Sequence, residues 1–372
     1  MGNEKDLVEF LFSENIGVVV QPANNEEFES YLNDKEVEFF NLGVVTDLGK
    51  LEFAEWKLDV PTLRDTWYKT SFLLDSKQSK NGMAQERYNN YKNQPLQFTF
   101  PENFNGSLTP NPSPKEKGVR EGAPKAAIIR EKGSNSEREM ANAMYLAGFD
   151  VKDVHMTDLI SGRETLEDIQ FIGAVGGFSN SDVLGSAKGW AGAFLYNEKA
   201  NTALQNFFKR EDTLSVGICN GCQLFMELEL INPEHEVHGK MHHNTSNKHE
   251  SGFTSVKIQK NHSVMLSTLE GATLGVWISH GEGKFKLPYN EDKYNIVAKY
   301  GYEGYPANPN GSDFNTAMLC DNTGRHLVMM PHIERSIFPW NWANYPDRGQ
   351  KDEVSPWLEA FVNARKWIDN QK

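Results

Sequence analysis

A doubly wound, mostly parallel α/β sheet, preceded by a small α+β segment and a helical linker, is the fold the sequence predicts for these 372 residues. Three observations predict it. From Ala126 onward, short apolar runs alternate with stretches of helical period, the rhythm of parallel strands joined by crossover helices. Residues 95–123 are rich in proline, and Pro110, Pro112 and Pro114 fall at alternate positions that neither a helix nor a central strand tolerates. They separate a segment 1–94 from a domain 124–372. Finally, the run SVGICNGCQ at 215–223 sets a Gly-x-Cys-x-Gly turn between an apolar strand and a helix.

In the first segment, Gly17–Val20 and Glu36–Phe40 read as short strands and Asn24–Leu32 as a polar helix. Asp59 as N-cap and Pro61 in the first turn open the next helix, with Leu63, Trp67, Thr70 and Leu74 down one face. A second helix spans Ala84 to Tyr91. In the domain, Ala126–Ile129 is a buried strand, and Ser136-x-x-Glu139 reads as a capping box opening a helix that buries Met140, Ala143, Met144 and Ala147 and ends at Gly148. Strands follow at Val151–Met156 and Phe171–Val175, then a helix at Lys199–Phe208 and the strand before the cysteine turn. Later strands at Phe253–Ile258, Leu274–Ile278, Ala317–Leu319 and His326–Met330 suggest an antiparallel section, and a last helix covers Val354–Ile368.

The cysteine turn carries the chemistry. A strand that bends sharply into a helix needs glycine beside the nucleophile, and the positive end of the following helix favours thiolate at Cys219. A base is available downstream in Pro331-His332-Ile333-Glu334-Arg335, which follows the apolar run Leu327–Met330. If that strand stays extended through Glu334, side-chain alternation puts His332 and Glu334 on one side, where the carboxylate holds the imidazole. Cys219 and Cys222 also form a Cys-x-x-Cys pair, which a redox dithiol or half of a zinc site would share. Cys320 is the third and last cysteine, so a four-cysteine zinc site is excluded, although histidines could complete a mixed one. His238, His242, His243 and His249 lack a matching carboxylate pattern and read as surface or interdomain contacts, so no metal site is expected.

Composition narrows the class. With 38% hydrophobic and 11% aromatic residues the chain supports packed cores. A net charge of −13 argues against a nucleic-acid surface, and there is neither an eighteen-residue apolar stretch nor a basic-then-apolar amino terminus. No nucleic-acid or membrane partner is expected, and three cysteines suit the cytoplasm.

Five stretches in order, Gly176-Gly177-Phe178-Ser179, Asp182-Val183-Leu184-Gly185, GICNGCQ at 217–223, SHGEG at 279–283 and PHIER at 331–335, resemble the class I (triad) glutamine amidotransferase portion of the phosphoribosylformylglycinamidine synthase family. The resemblance is strong over about 124–372. Residues 7–108, with LFSENIGVVVQ and LRDTWYKTSF, resemble the end of that family's synthetase region.

The resemblance implies a flavodoxin-like fold and a glutaminase that supplies ammonia for converting formylglycinamide ribonucleotide to its amidine. It implies Cys219, His332 and Glu334 as the triad, the backbone of Gly177 and Asn220 as oxyanion donors, and Gly176, Phe178, Gln223, Ser279, His280, Gly281 and Glu282 around the glutamine. It also implies a missing upstream synthetase region as partner. No Walker-type loop is present, so the fragment is expected to need no cofactor, with ATP and magnesium belonging to the full enzyme. Another cysteine hydrolase on a similar turn, or a noncatalytic docking module, would share parts of this pattern.

Overall fold

The structure is a computed structural model, and it describes residues 14, 16–53, 55–93, 96–108, 122–302, 304–349 and 351–371. The proline run at 110–114 lies outside the described residues. The chain divides into two compact units, one up to Thr70 and one from Ser71 to Lys372.

The first unit holds helix α1 (Asn25–Asp34), whose first turn is capped by Asn24 Oδ1 accepting the Glu27 N–H at 3.3 Å, and a hairpin of β1 (Lys50–Phe53) with β2 (Trp56–Asp59). The expected strands at Gly17–Val20 and Glu36–Phe40 do not form. A strand must pair its backbone groups, and Val18 and Val19 lie exposed with no neighbouring strand among the described residues. Helix α2 (Val60–Gln78) begins where the sequence predicts: Asp59 Oδ2 accepts the Thr62 N–H at 3.0 Å. Its apolar residues Leu63, Trp67 and Leu74 remain exposed.

The second unit opens with the end of α2 and helix α3 (Met83–Asn90). Residues 96–108 then run onto the domain, with Phe98 and Phe100 packed against its core and Thr99 paired to Thr273. The alternating pattern follows as β3 (Lys125–Arg130), α4 (Glu137–Leu146), β4 (Asp150–His155), α5 (Met156–Ser161), β5 (Phe171–Ala174), α6 (Lys188–Leu195), α7 (Glu198–Lys209), β6 (Leu214–Ile218) and α8 (Asn220–Glu227). The remaining elements are β7 (Lys240–His242), β8 (Glu250–Ile258), β9 (Thr273–His280), β10 (Lys284–Lys286), β11 (Asn295–Tyr300), β12 (Thr316–Cys320), β13 (His326–Met329) and α9 (Trp357–Asp369).

Among the described residues one nine-stranded sheet runs in the order β4-β3-β5-β6-β13-β12-β11-β8-β9. The first five strands are parallel and follow the 2-1-3-4-5 sequence of a flavodoxin-like sheet; the last four extend it antiparallel. Central strands β5 and β6 are buried at every residue, as helices on both faces require. Helix α4 buries Met140, Ala143 and Met144 as its period predicts, so closely that a Cβ on Gly173 of β5 would sit 2.7 Å from Met144 Cε. The expected capping box is absent. Ser136 adopts left-handed φ of 69° and its side chain caps nothing, because an N-cap side chain reaches the first helical amides from an extended backbone. No described helix is long and apolar enough to cross a membrane.

Candidate active site

Three adjacent parallel strands end side by side at the carboxyl end of the sheet, and each delivers part of the site. Beyond β5 comes Gly176-Gly177-Phe178, beyond β6 comes Cys219, and beyond β13 comes His332. Ligands in open α/β sheets bind at this carboxyl end.

Cys219 has φ of 54° and ψ of −106°, a conformation L-residues rarely adopt, and it is held there from both sides. Its N–H donates to Met329 O at 2.8 Å, and its carbonyl accepts the Gln223 N–H at 3.0 Å. The flanking glycines are steric necessities: a Cβ on Gly217 would lie 2.6 Å from Gly221 O, and one on Gly221 would lie 2.1 Å from Ala174 O. Sγ of Cys219 approaches the carbonyl of Ser279 at 3.5 Å.

His332 is buried beside it. Nδ1 lies 2.6 Å from Glu334 Oε1, as expected, but the extended strand that would have aligned the two does not exist. β13 stops at Met329, and residues 333–335 form a 3₁₀ turn that curls Glu334 back under the ring. An extended strand would carry Glu334 away along its axis, whereas the tight turn shortens the reach. The backbone of His332 is pinned by its N–H to Trp277 O at 2.8 Å. Burial alone would lower the imidazole pKa; the Glu334 carboxylate and the hydrogen bond and charge of Cys219 overcome it and raise the pKa to about 10. A Cβ on Gly176 would meet His332 Cε1 at 2.8 Å and Cys219 Cβ at 3.3 Å, so this glycine faces both groups at once.

The turn after β5 is clasped by residues 133–135. Asn135 N–H donates to Gly176 O at 2.8 Å, Phe178 N–H donates to Gly133 O at 2.9 Å, and Gly177, at φ of 112°, has no room for a side chain against Ser134 and Asn135. Phe178's amide is therefore occupied, and its ring is half exposed. Asn220 is the first residue of α8, so its N–H has no acceptor within the helix. Its side chain links this turn to the cysteine turn, Oδ1 accepting the Ser179 N–H at 3.1 Å and Nδ2 donating to Gln223 Oε1 at 3.0 Å.

Gln223 is engaged at both ends of its amide, Nε2 donating to Glu282 O at 2.8 Å, and so braces α8 against the 279–282 loop. Ser279 and His280 end β9. His280 Nδ1 lies 3.1 Å from Asn244 Oδ1, and burial, helped by His332 and His249, lowers its pKa to about 3, so it is neutral. Asn244 also receives the Gly283 N–H at Oδ1 and donates to His280 O, while its own N–H donates to Gly281 O at 2.9 Å. A single loop asparagine offers no periodicity or motif, and the sequence reading does not single it out. Glu282 Oε2 accepts the Ser186 N–H at 3.3 Å. The 279–282 loop passes between two clefts: about 570 Å³ bordered by Trp277, Ser279, His332 and Arg335, and about 660 Å³ bordered by Asp182, Lys188, His243 and Glu282. The four histidines of the 238–249 run disperse; His238 pairs with Glu229, His243 lies 3.9 Å from Glu282, and His249 contacts Ser279. Among the described residues no three His, Cys, Asp or Glu side chains converge as metal ligands.

Comparison with known proteins agrees with the motifs. The family model for the CobB/CobQ-like glutamine amidotransferase domain matches residues 123–368. The probable phosphoribosylformylglycinamidine synthase, chloroplastic/mitochondrial, of Arabidopsis thaliana is 38% identical over 404 residues, covering 99% of this chain and 28% of that protein. The human phosphoribosylformylglycinamidine synthase is 36% identical over 399 residues, covering 97% of this chain and 29% of that protein. The chain thus spans less than a third of the length of these relatives. PurLQS from Thermotoga maritima, a solved structure, superposes with a TM-score of 0.51 at 23% identity, covering 67% of this chain and 99% of that one, a likeness of fold. With the family model matched through the elements that bear Cys219 and His332, the chain belongs to the CobB/CobQ-like glutamine amidotransferase domain family.

Proposed function

We propose that this chain hydrolyses glutamine to glutamate and ammonia with Cys219, His332 and Glu334, and that the ammonia serves the conversion of formylglycinamide ribonucleotide to formylglycinamidine ribonucleotide by a longer synthase. One observation carries the reading: Cys219 and His332 are hydrogen-bond neighbours that both border Gly176, with Glu334 Oε1 2.6 Å from the imidazole Nδ1. The Cys219 proton sits on His332, and Sγ attacks the glutamine amide carbon as the thiolate of that ion pair. The imidazolium, stabilised by Glu334, returns that proton to the departing nitrogen, and ammonia leaves. Water, deprotonated by His332, then cleaves the thioester to glutamate and frees the thiol.

The tetrahedral oxyanion is assigned to the N–H groups of Asn220 and Gly177, the first unserved by its helix and the second in the clasped turn; one such donor is worth about 3 to 4 kcal/mol in other enzymes. Gly176, Phe178, Ser279, His280, Gly281 and Glu282 form the walls of the glutamine pocket in this reading, and Gln223 acts as their brace. ATP and magnesium belong to the remainder of the longer enzyme, and no step of the hydrolysis runs through them. The setting is a reducing compartment, the cytoplasm in this reading, since all three cysteines are free and buried.

Glutamate release from the purified chain, with a glutamine-mimicking diazoketone as label, tests the proposal; mass spectrometry placing the label on Cys222 or Cys320 would remove Cys219 from the mechanism. Gly176→Ala should fold, since the position lies outside the left-handed region, yet lose glutamine turnover by about 100-fold, the cost of displacing reacting groups by about 1 Å. Wild-type turnover in that variant would show that the gap between Cys219 and His332 is not used. Adding the rest of a synthase with ATP and the ribonucleotide should raise glutamate production, each tenfold step corresponding to about 1.4 kcal/mol of shifted equilibrium. An unchanged rate would mean that the fragment is already in its active arrangement.

A further inference from the structure

The short segment Lys248–Glu250 reaches the site from outside the motifs. His249 Nε2 lies 3.0 Å from Ser279 Oγ, and its ring centroid is 5.9 Å from that of Phe178. It therefore touches both walls that flank Cys219, the Ser279 side approached by the thiol and the Phe178 side of the glycine turn. His249 is itself exposed, so burial does not hold it in place.

Its two neighbours are held instead. Lys248 Nζ pairs with Asp75, whose other oxygen lies 3.6 Å from an Arg87 nitrogen. Arg87 also pairs with Glu250 and stacks 4.8 Å over the Tyr305 ring, while Tyr305 OH donates to Glu250 Oε1 at 2.8 Å. Asp75 and Glu250 are buried. Burial alone would raise the Asp75 carboxyl pKa, but Lys248, Ser79 and Arg87 outweigh it and hold the group below its usual range. Buried charges in such a network are costly to separate, unlike a surface pair. Glu250 is also the first residue of β8 and pairs with His280, as Ser251 pairs with Ser279, so fixing Glu250 fixes the register at the end of β9. Asp75 and Arg87 belong to the end of α2 and to α3, outside the 123–368 match.

We infer that residues 71–93 are a positioning part of the glutamine site: their ion pairs with Lys248 and Glu250 set His249, and His249 sets Ser279 and Phe178 around the substrate. The inference rests on the glutaminase reading. His249 is a positioning residue, since its contacts are to pocket walls.

Steady-state glutamine hydrolysis by the full chain tests it, with wild type and Cys219→Ala measured first. Glutamate from wild type only establishes the glutaminase; none from wild type removes the reading and the inference with it. Given an active wild type, His249→Ala should raise KM for glutamine about tenfold with kcat within about threefold, the mark of lost substrate binding. His249→Gln, which keeps a donor within reach of Ser279, should recover most of that loss. Asp75→Asn should raise KM in the same direction, and the double variant with His249→Ala should be no worse than His249→Ala alone, because both act through one contact. Lys248→Met supplies the same test should Asp75→Asn fail to fold. Wild-type KM in the Asp75 or Lys248 variant, or factors that multiply in the double, would overturn the inference even with an active glutaminase.

Discussion

Cys219→Ala is expected to abolish glutamate release, by about 10⁴-fold or more, while Cys222→Ala keeps most of it. The two thiols are three residues apart in one sequence motif but differ in every physical respect that matters. Cys219 occupies the strained turn, with glycines on both sides that a side chain would drive into backbone oxygens, and its sulfur borders the Ser279 carbonyl and His332. Cys222 lies one turn into α8 in the hydrophobic core, and burial together with the neighbouring Cys219 pushes its thiol pKa well above the ordinary value, so it stays protonated and inert. Replacing it removes one buried sulfur, a stability cost of about 1 kcal/mol. Assays of glutamate release alongside denaturant midpoints separate the two effects. Equal loss of activity in both variants would favour a dithiol or metal pair over a single nucleophile.

The parallel half of the sheet was legible because its strands are buried on both faces and read as apolar runs between helices of clear period, as at Ala126–Ile129 and Leu214–Ile218. β11 was not, since Asn295–Tyr300 is interrupted by a register shift in its pairing with β12 and carries polar residues at both ends. The strands expected in the first segment rested on short strand-like runs, valine-rich at Val18–Val20 and mixed with phenylalanine at Glu36–Phe40, and Val18 to Val20 lacks the pairing partner that would turn propensity into structure. At the site, the cysteine turn was legible because glycines there answer a local steric demand. The pairing of His332 with Glu334 was expected on the wrong grounds: a spacing of two does not by itself tell an extended strand from a 3₁₀ turn, and it is the bonds from Arg335 N–H to His332 O and from Ser336 N–H to Ile333 O that make the turn. Asn244 and the Asp75–Lys248 pair were beyond reach, because contacts across 36 and 173 residues leave no local periodicity.

Glu334→Gln is expected to lower kcat/KM by about 10² to 10⁴-fold at pH 8 and to move the alkaline limb of the pH profile down by several units. The imidazole is fully buried, and burial, the largest single influence on it, disfavours the imidazolium. Glu334 is the first of the groups that reverse this, ahead of the hydrogen bond and charge of Cys219, and together they raise the pKa to about 10. With the carboxylate present, His332 keeps the proton it must hand to the leaving nitrogen at any pH below that value. With glutamine in its place, the hydrogen bond at Nδ1 can persist but the charge is gone, and the His332 pKa falls from about 10 toward the ordinary histidine value of about 6.5. Stability follows the same sign. A folded-state pKa raised above the unfolded one contributes stability that is complete below about pH 6.5 and is lost as pH rises through about 10, so wild type should lose this increment across that alkaline window and the variant should show little of it. Paired pH profiles of kcat/KM and of the urea midpoint read both effects, and an alkaline limb at the same pH in the two proteins would mean that Glu334 orients the ring without holding its proton.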